Sequence, residues 1–229
     1  MLTDTDRMLL WEWNWLHVNA TMAFTWAVML LLAAGSWLVT RNLSTGERIS
    51  HWQNILETIV ESIDRQITDL TYQPAGAYLP FAGTLFLFIA VSNLLSVVPG
   101  FLPPTGSLST TTALALCVLL AVPLFGIGEH GVLGYLRHYL QPTPFMLPFN
   151  IIGEISRTVA LAVRLYGNIM SGTMIAAILL SVIPFFFPVA MQLLGLLTGL
   201  VQAYIFAVLA VVYIGSATRT RSNAPAPGK

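Results

Sequence analysis

Charge is the first thing this sequence lacks. Only 9% of its 229 residues are Asp, Glu, Lys or Arg, against about 25% in a typical soluble domain. So few charges cannot cover a surface that faces water. Hydrophobic residues make up 56% and the mean hydropathy is +0.76, so the chain reads as an integral membrane protein. Formal net charge is zero, which leaves no basic surface to neutralise phosphates and argues against a nucleic-acid partner. The single cysteine, Cys117, stands between Leu116 and Val118. It excludes a disulfide framework or a cysteine metal site and reads as an apolar filler. Asp4, Asp6 and Arg7 do not make the basic n-region of a cleavable signal, so none is expected. Gly-rich phosphate loops, Ser/His/Asp sets and metal-ligand clusters are missing as well. His17, His51, His130 and His138 fall in predicted tails or loops. No intramembrane histidine pair can then hold a haem, and neither cofactor nor metal is expected.

Long apolar runs are what the chain has instead. A span needs about 20 mostly apolar residues. Runs at roughly 19–40, 79–98, 108–127, 149–183 and 184–217 predict about five transmembrane helices. The last two are too long to stand upright. About 34 residues at about 1.5 Å each make roughly 50 Å, against a hydrocarbon core of about 30 Å. They must tilt strongly or run beyond the core, and Pro184 and Pro188 mark the break that makes them a hairpin. Ahead of the first span, "LLWEWNWLH" brings three tryptophans suited to a membrane interface. Between the first two spans, Ile49, Trp52, Leu56, Ile59, Val60, Ile63, Ile67 and Leu70 recur at three- and four-residue steps. Glu57, Glu61, Asp64 and Arg65 lie elsewhere, which predicts an amphipathic helix on the membrane surface or against a partner.

Five spans put the termini on opposite sides. Arg41, Arg48, Arg65, Arg137, Arg219, Arg221 and Lys229 then share one side, while Arg7 stands alone on the other. The loops at 99–107 and 183–185 carry no charge. By the positive-inside rule the N-terminus lies outside and the C-terminus in the cytoplasm.

Within 149–217 the only charges are Glu154, Arg157 and Arg164. Glu154 and Arg157, three residues apart near the cytoplasmic end, can pair on one helical face. Arg164 lies two turns deeper on that face, and Asn168, Ser171 and Ile175 continue the stripe. Roughly 10 Å of helix separates it from the pair, so snorkelling rescues it only in part. A central arginine costs about 2.5–3.5 kcal/mol to insert. A polar cavity or a carboxylate must offset that cost. The other spans hold no acidic residue, so such a carboxylate would come from another chain. On the fifth span Gln202 is the outstanding polar residue, followed by Tyr204 and Tyr213, with Gln192 about three turns earlier. Gln192 reads as helix glue, and Gln202 as a group that could face Arg164 across the hairpin. Glu129, His130 and His138 read as a loop on the membrane surface. The carboxylates and repeated halves of a self-contained transporter are missing, and a purely structural scaffold leaves Arg164 unexplained.

The segment "LPFNIIGEISRTVALAVRLYGNIMSG" closely resembles the signature helix of the a subunits of the Fo sector of rotary ATP synthases. That helix carries an arginine followed by Leu, an aromatic, Gly and Asn, matched here by Arg164, Leu165, Tyr166, Gly167 and Asn168. Glu154 and Arg157 match its upstream Glu and Arg. The run "GLVQAYIFAVLAVVYIG" is similar to the family's final helix, with Gln202 and Tyr213 at its glutamine and tyrosine. "VSNLLSVVPG", "PPTGSLSTTTALAL" and "YLRHYLQPTPFMLPFN" are similar to its connecting segments. The resemblance covers roughly 78–216, and residues 1–77 match only in kind.

The resemblance implies an all-α membrane subunit whose tilted hairpin lies against a rotor ring. Such a subunit is a stator that offers two aqueous half-channels to the ring carboxylates and couples proton or sodium movement to ATP synthesis or hydrolysis. Implied partners are rotor-ring subunit c, peripheral-stalk subunit b, the other ATP synthase subunits and the lipid bilayer, in a bacterial inner membrane. The chain itself would hold no ATP site. Arg164 would face the rotor carboxylate, and Asn168, Ser171, Thr173, Gln202, Gln192, Asn93, Ser96, Tyr213, Glu154 and Arg157 would line the ion path. The implied organisation is an external tail over 1–18, then the first span and the cytoplasmic-side amphipathic helix over 19–77. A membrane ion-channel domain follows over 78–218, with its hairpin at 149–217, and a cytoplasmic tail over 219–229. Three departures stand out. Many members carry an acidic or histidine side chain nine residues after the arginine, where this chain has Thr173. Another titratable position, seven residues before the glutamine, is Gly195, and an acidic position after the "NLL" stretch is Ser96. The outer channel is therefore expected to work through water ordered by Thr173, Ser171, Asn93, Ser96 and Gln192. Gly167, Gly172, Gly195 and Gly199 are expected to allow close approach to the ring.

Overall fold

Apolar runs and the Pro and Gly residues between them divide the chain into helices. A computed structural model describes residues 9–13, 16–41, 51–71, 78–98, 100–140, 146–182 and 187–218. Among these residues the helices are α1 (Ala20–Thr40), α2 (His51–Thr71), α3 (Leu79–Leu95), α4 (Leu108–Leu140), α5 (Met146–Val182) and α6 (Phe187–Thr218). α1, α4, α5 and α6 each contain a stretch long and apolar enough to cross a membrane. The 17 residues of α3 span about 25 Å, the short end of what a crossing needs. The membrane body is all-α, with five apolar helices and one amphipathic helix, as the hydropathy pattern predicts.

α5 has 37 residues and α6 has 32. They are about 55 and 48 Å long, well beyond the hydrocarbon core. The four residues between them, 183–186, lie outside the described residues, Pro184 included. So short a connection between helices that pack on each other makes an antiparallel hairpin. Pro188 does not break the hairpin. It is the second residue of α6, in the first turn, where a missing N–H costs nothing.

α6 is the central helix and packs on α3, α5 and α4, while α4 also packs on α5. Their shared core includes Leu85, Ile89, Val118, Leu161, Leu165 and Phe206. A second cluster, with Ala82, Val122, Val211 and Ile214, lies toward the C-terminal end of α6. Ala115, Ala162, Ala203 and Ala210 fill contact positions. Small side chains there let backbones approach, which matters where lipid removes the hydrophobic drive between helices. The outside is apolar: Trp26, Leu30, Leu124 and Phe149 are 69–70% exposed, a surface suited to acyl chains. The neutral loop after α3 is not a free loop. It forms a single 3-10 turn, Pro104–Gly106, with Pro104 and Thr105 buried, packed against α3, α4, α5 and α1.

Some elements differ from the sequence-based expectation. Residues 9–13 (β1) and 16–19 (β2) form a two-stranded antiparallel ribbon inside the stretch expected to be a plain tail. Trp11 and Trp13 alternate with Glu12 and Asn14, a period of two that favours a strand over an interfacial belt alone. α4 runs to Leu140, so His130 and His138 stand on helix and not in a loop, and His51 begins α2. The one break is Gly131, whose φ of 69° and ψ of 165° suit glycine and interrupt the helix. α2 packs within the chain, on α6 and α3. Thr58, Ser62 and Ile63 of α2 meet Tyr204 of α6 around a cavity of about 220 Å³, while Val60 of the apolar stripe stays exposed. Arg7, Arg48, Arg219, Arg221 and Lys229 lie outside the described residues.

Candidate functional site

The buried face of α5 is set by Leu161, Ala162 and Leu165, all within the core. At 100° per residue, Arg157, Arg164, Asn168, Ser171 and Ile175 fall together on the flank beside that face. Arg164 is exposed there, with Val159 and Val163 also exposed on its helix. It forms no hydrogen bond or ion pair among the described residues. Within those residues, nothing offsets its charge.

Two cavities with polar groups in their walls lie on either side of Arg164 along the hairpin. One, of about 360 Å³, sits toward the α5–α6 turn and is walled by Asn93, Ser96, Asn168, Thr173, Gln192 and Gly195, among others. The second, of about 350 Å³, sits toward the other end, with Asn150, Glu154, Arg157, Tyr213 and Ser216 in its wall. Thr158 of the second cavity and Asn168 of the first bracket Arg164. Along the helix they are about 9 Å and 6 Å from it.

Asn93, Ser96 and Gln192 of the first cavity are tied together at the end of α3. Asn93, 3% exposed, donates from Nδ2 to the Gly199 carbonyl at 2.8 Å and accepts from Thr105 Oγ1 at 2.8 Å. Ser96 Oγ donates to the Asn93 carbonyl at 2.6 Å. Gln192 Nε2 reaches the carbonyls of Ser96 and Val97, each at 3.4 Å, and so joins α6 to the end of α3 as helix glue would. The Thr173 hydroxyl returns to the Met170 carbonyl at 3.0 Å. Ser171 does the same to the Asn168 carbonyl at 3.1 Å and stays outside both cavity walls. In the second cavity Arg157 lies over the ring of Tyr213, 5.5 Å from its centroid. No group of three or more His, Cys, Asp or Glu that could hold a metal occurs among the described residues.

Gln202 and Arg164 are not joined. Gln202 is 6% exposed and its Nε2 is buried without a hydrogen-bond partner among the described residues, whereas Arg164 faces outward. Gly199 also differs from expectation. It is buried against Asn93 of the same chain, so its missing side chain serves an internal contact. Gly167, Gly172 and Gly195 have open space around them. Sequence reasoning missed Thr105 and the Gly199 carbonyl as partners of Asn93. The Asn93–Gly199 contact spans 106 residues, and no local pattern announces it.

The sequence model of the family described as ATP synthase A chain matches residues 22–215, most of this chain. The chain belongs to the ATP synthase A chain family. It is 64% identical over 214 residues to ATP synthase subunit a 2 of Acaryochloris marina, covering 93% of this chain and 92% of that one. ATP synthase subunit a 1 of Chlorobaculum parvum is 61% identical over 223 residues, covering 97% and 99%. ATP synthase subunit a of Albidiferax ferrireducens is 57% identical over 229 residues, covering 100% and 99%. This family member is thus a multi-pass membrane protein of the ATP synthase complex. Ser96, Thr173 and Gly195, the positions read from the sequence as departures, all fall in the wall of the first cavity, where no ionisable side chain stands among the described residues.

Proposed function

We propose that this chain is the stator ion-channel subunit of the ATP synthase membrane sector. The observation that supports this best is the exposed Arg164, unpaired among the described residues, between two cavities that carry polar groups in their walls at opposite ends of one hairpin. Each cavity is read as the inner part of an aqueous half-channel, the first opening outside and the second to the cytoplasm. Ions enter by one, ride on carboxylates of a ring of c subunits for almost a full turn, and leave by the other. The α5–α6 hairpin faces that ring.

Arg164 has two tasks in this scheme. At an effective dielectric of 20, a charge pair at 4 Å is worth about 4 kcal/mol, or about three pKa units. That is enough to make an arriving rotor carboxylate release its ion. The same fixed positive charge stops a cation from crossing straight between the cavities. Each charge that crosses 100 mV delivers about 2.3 kcal/mol, which the ring converts to torque. Asn168, Thr173, Gln192, Asn93 and Ser96 serve the outer path; Glu154, Arg157 and Tyr213 serve the inner one; Gln202 stands between them, and Ser171 lies outside both cavities.

The membrane ion-channel unit is 78–218, preceded by an external segment over 1–18 and by the first span with its cytoplasmic-side helix over 19–77. The C-terminal 219–229 lies in the cytoplasm, and the membrane is a bacterial inner membrane. Partners are the c ring, peripheral-stalk subunit b and the remaining synthase subunits. Affinity purification of the tagged chain from native membranes is the test. A small, ring-forming proteolipid and stalk subunits should come with it, and their consistent absence would overturn the assignment.

A further inference from the structure

Gln202 is the anomaly. A buried amide without a partner is costly, yet Gln202 Nε2 is enclosed and has no hydrogen-bond partner among the described residues. Its position follows from the register of the hairpin. Arg157 opposes Tyr213, and Thr173 shares a cavity with Gly195, which puts Gln202 level with Gly167 and Asn168. It therefore stands between the first cavity and Arg164. On α5 the cavity wall reaches Asn168, but along α6 it ends at Gly199, about one helical turn before Gln202.

At that turn Asn93 holds Gly199. The Nδ2–carbonyl bond is 2.8 Å, and Thr105 fixes Oδ1 from the other side at 2.8 Å. Contact is so close that a Cβ on Gly199 would lie 3.0 Å from Asn93 Nδ2 and 3.1 Å from its Cβ and Cγ. We propose that the Asn93–Gly199 link is a gate at the inner end of the first cavity, closed to water as it stands and opening it toward Gln202 when it parts. Parting is inexpensive. The Gly199 carbonyl keeps its in-helix donor, the N–H of Ala203, and the water that enters satisfies both the freed Asn93 amide and the orphaned Gln202 amide. Asn93 is then a positioning residue: it touches no rotor group and acts through Gly199. The proposed half-channel gives the gate its purpose, but the test reads water access and not transport.

The test uses the whole synthase in native membranes, with Cys117→Ser and either Gln202→Cys or, as a reference in the open cavity, Gln192→Cys. A small membrane-impermeant thiol reagent is the probe. With the link intact, position 202 should label about tenfold more slowly than position 192, the scale of a lost hydrogen bond. Asn93→Ala removes the link, and Gly199→Ala drives it apart; each should raise labelling at 202 about tenfold and leave 192 unchanged. Thr105→Val, which frees Asn93 Oδ1 with little change of shape, should raise it less and keeps the question open to test if the others fail to assemble. Labelling of 202 as fast as 192 with the link intact, or no rise in any assembled variant, overturns the gate. Failure of the stator assignment would show elsewhere, as normal coupled synthesis in an Arg164 variant.

Discussion

The Arg157 guanidinium lies 5.5 Å from the centroid of the Tyr213 ring and ties α5 to α6 far from the turn that joins them. The contact marks residues of the two helices that stand level, and both line the second cavity. A cation over an aromatic face is worth about 0.5–1 kcal/mol when partly exposed. Tyr213→Phe keeps the face and should leave thermal stability of the complex unchanged, whereas Tyr213→Leu should lose about that amount. Equal melting of the phenylalanine and leucine variants, measured on the purified complex, would show that the ring face contributes nothing.

Arg164→Ala should abolish ion-driven ATP synthesis in membrane vesicles while the complex remains assembled. Arg164→Lys should rescue poorly, because an ammonium lacks the planar, weakly hydrated fork of a guanidinium. Near-normal coupled synthesis in the alanine variant would remove Arg164 from the mechanism.

The proposed topology puts the termini on opposite sides. With Cys117 replaced, a cysteine at position 5 should react with an impermeant reagent from outside, and one at position 222 only from the cytoplasmic side. Reaction of both from one side would overturn the proposed crossing pattern and orientation.

Ion preference should follow the rotor. Thr173, Gly195 and Ser96 leave the first cavity without an ionisable wall among the described residues, so none of these groups selects one cation by titration. Thr173→Glu should change the pH profile of synthesis without being needed for activity. Exchanging the c ring for one of opposite ion preference, with this subunit kept, should carry the preference with the ring. If preference stays with this subunit, the neutral cavity is not permissive.

Much of the fold is legible in the sequence because a membrane span is a composition before it is a contact. The apolar runs fall within a few residues of α1, α3, α5 and α6 and of the start of α4, which continues well past its run to Leu140, and the three- and four-residue steps from Ile49 to Leu70 mark α2. Arg164 is conspicuous for the same reason, as a charge in an apolar run. What stayed hidden depends on distance along the chain. That Gly199 meets Asn93, and that Gln202 is buried while Arg164 is exposed, follow from how α6 turns against α3 and α5. Helical period gives the angle between two residues of one helix, but not which way that helix faces. The N-terminal ribbon was missed differently: its alternation is visible, but the aromatic residues that build it also suit a membrane interface.

An outward-facing Arg164 bears on the order in which the enzyme is built. A newly inserted copy, alone in the bilayer, holds an unpaired cation against acyl chains at a cost of about 2.5–3.5 kcal/mol. Whatever covers it with a carboxylate relieves that cost, which favours the docked over the solitary form by about two orders of magnitude. The lone subunit is therefore the unstable species of the assembly line, and cells that make it in excess of its partners should clear it first.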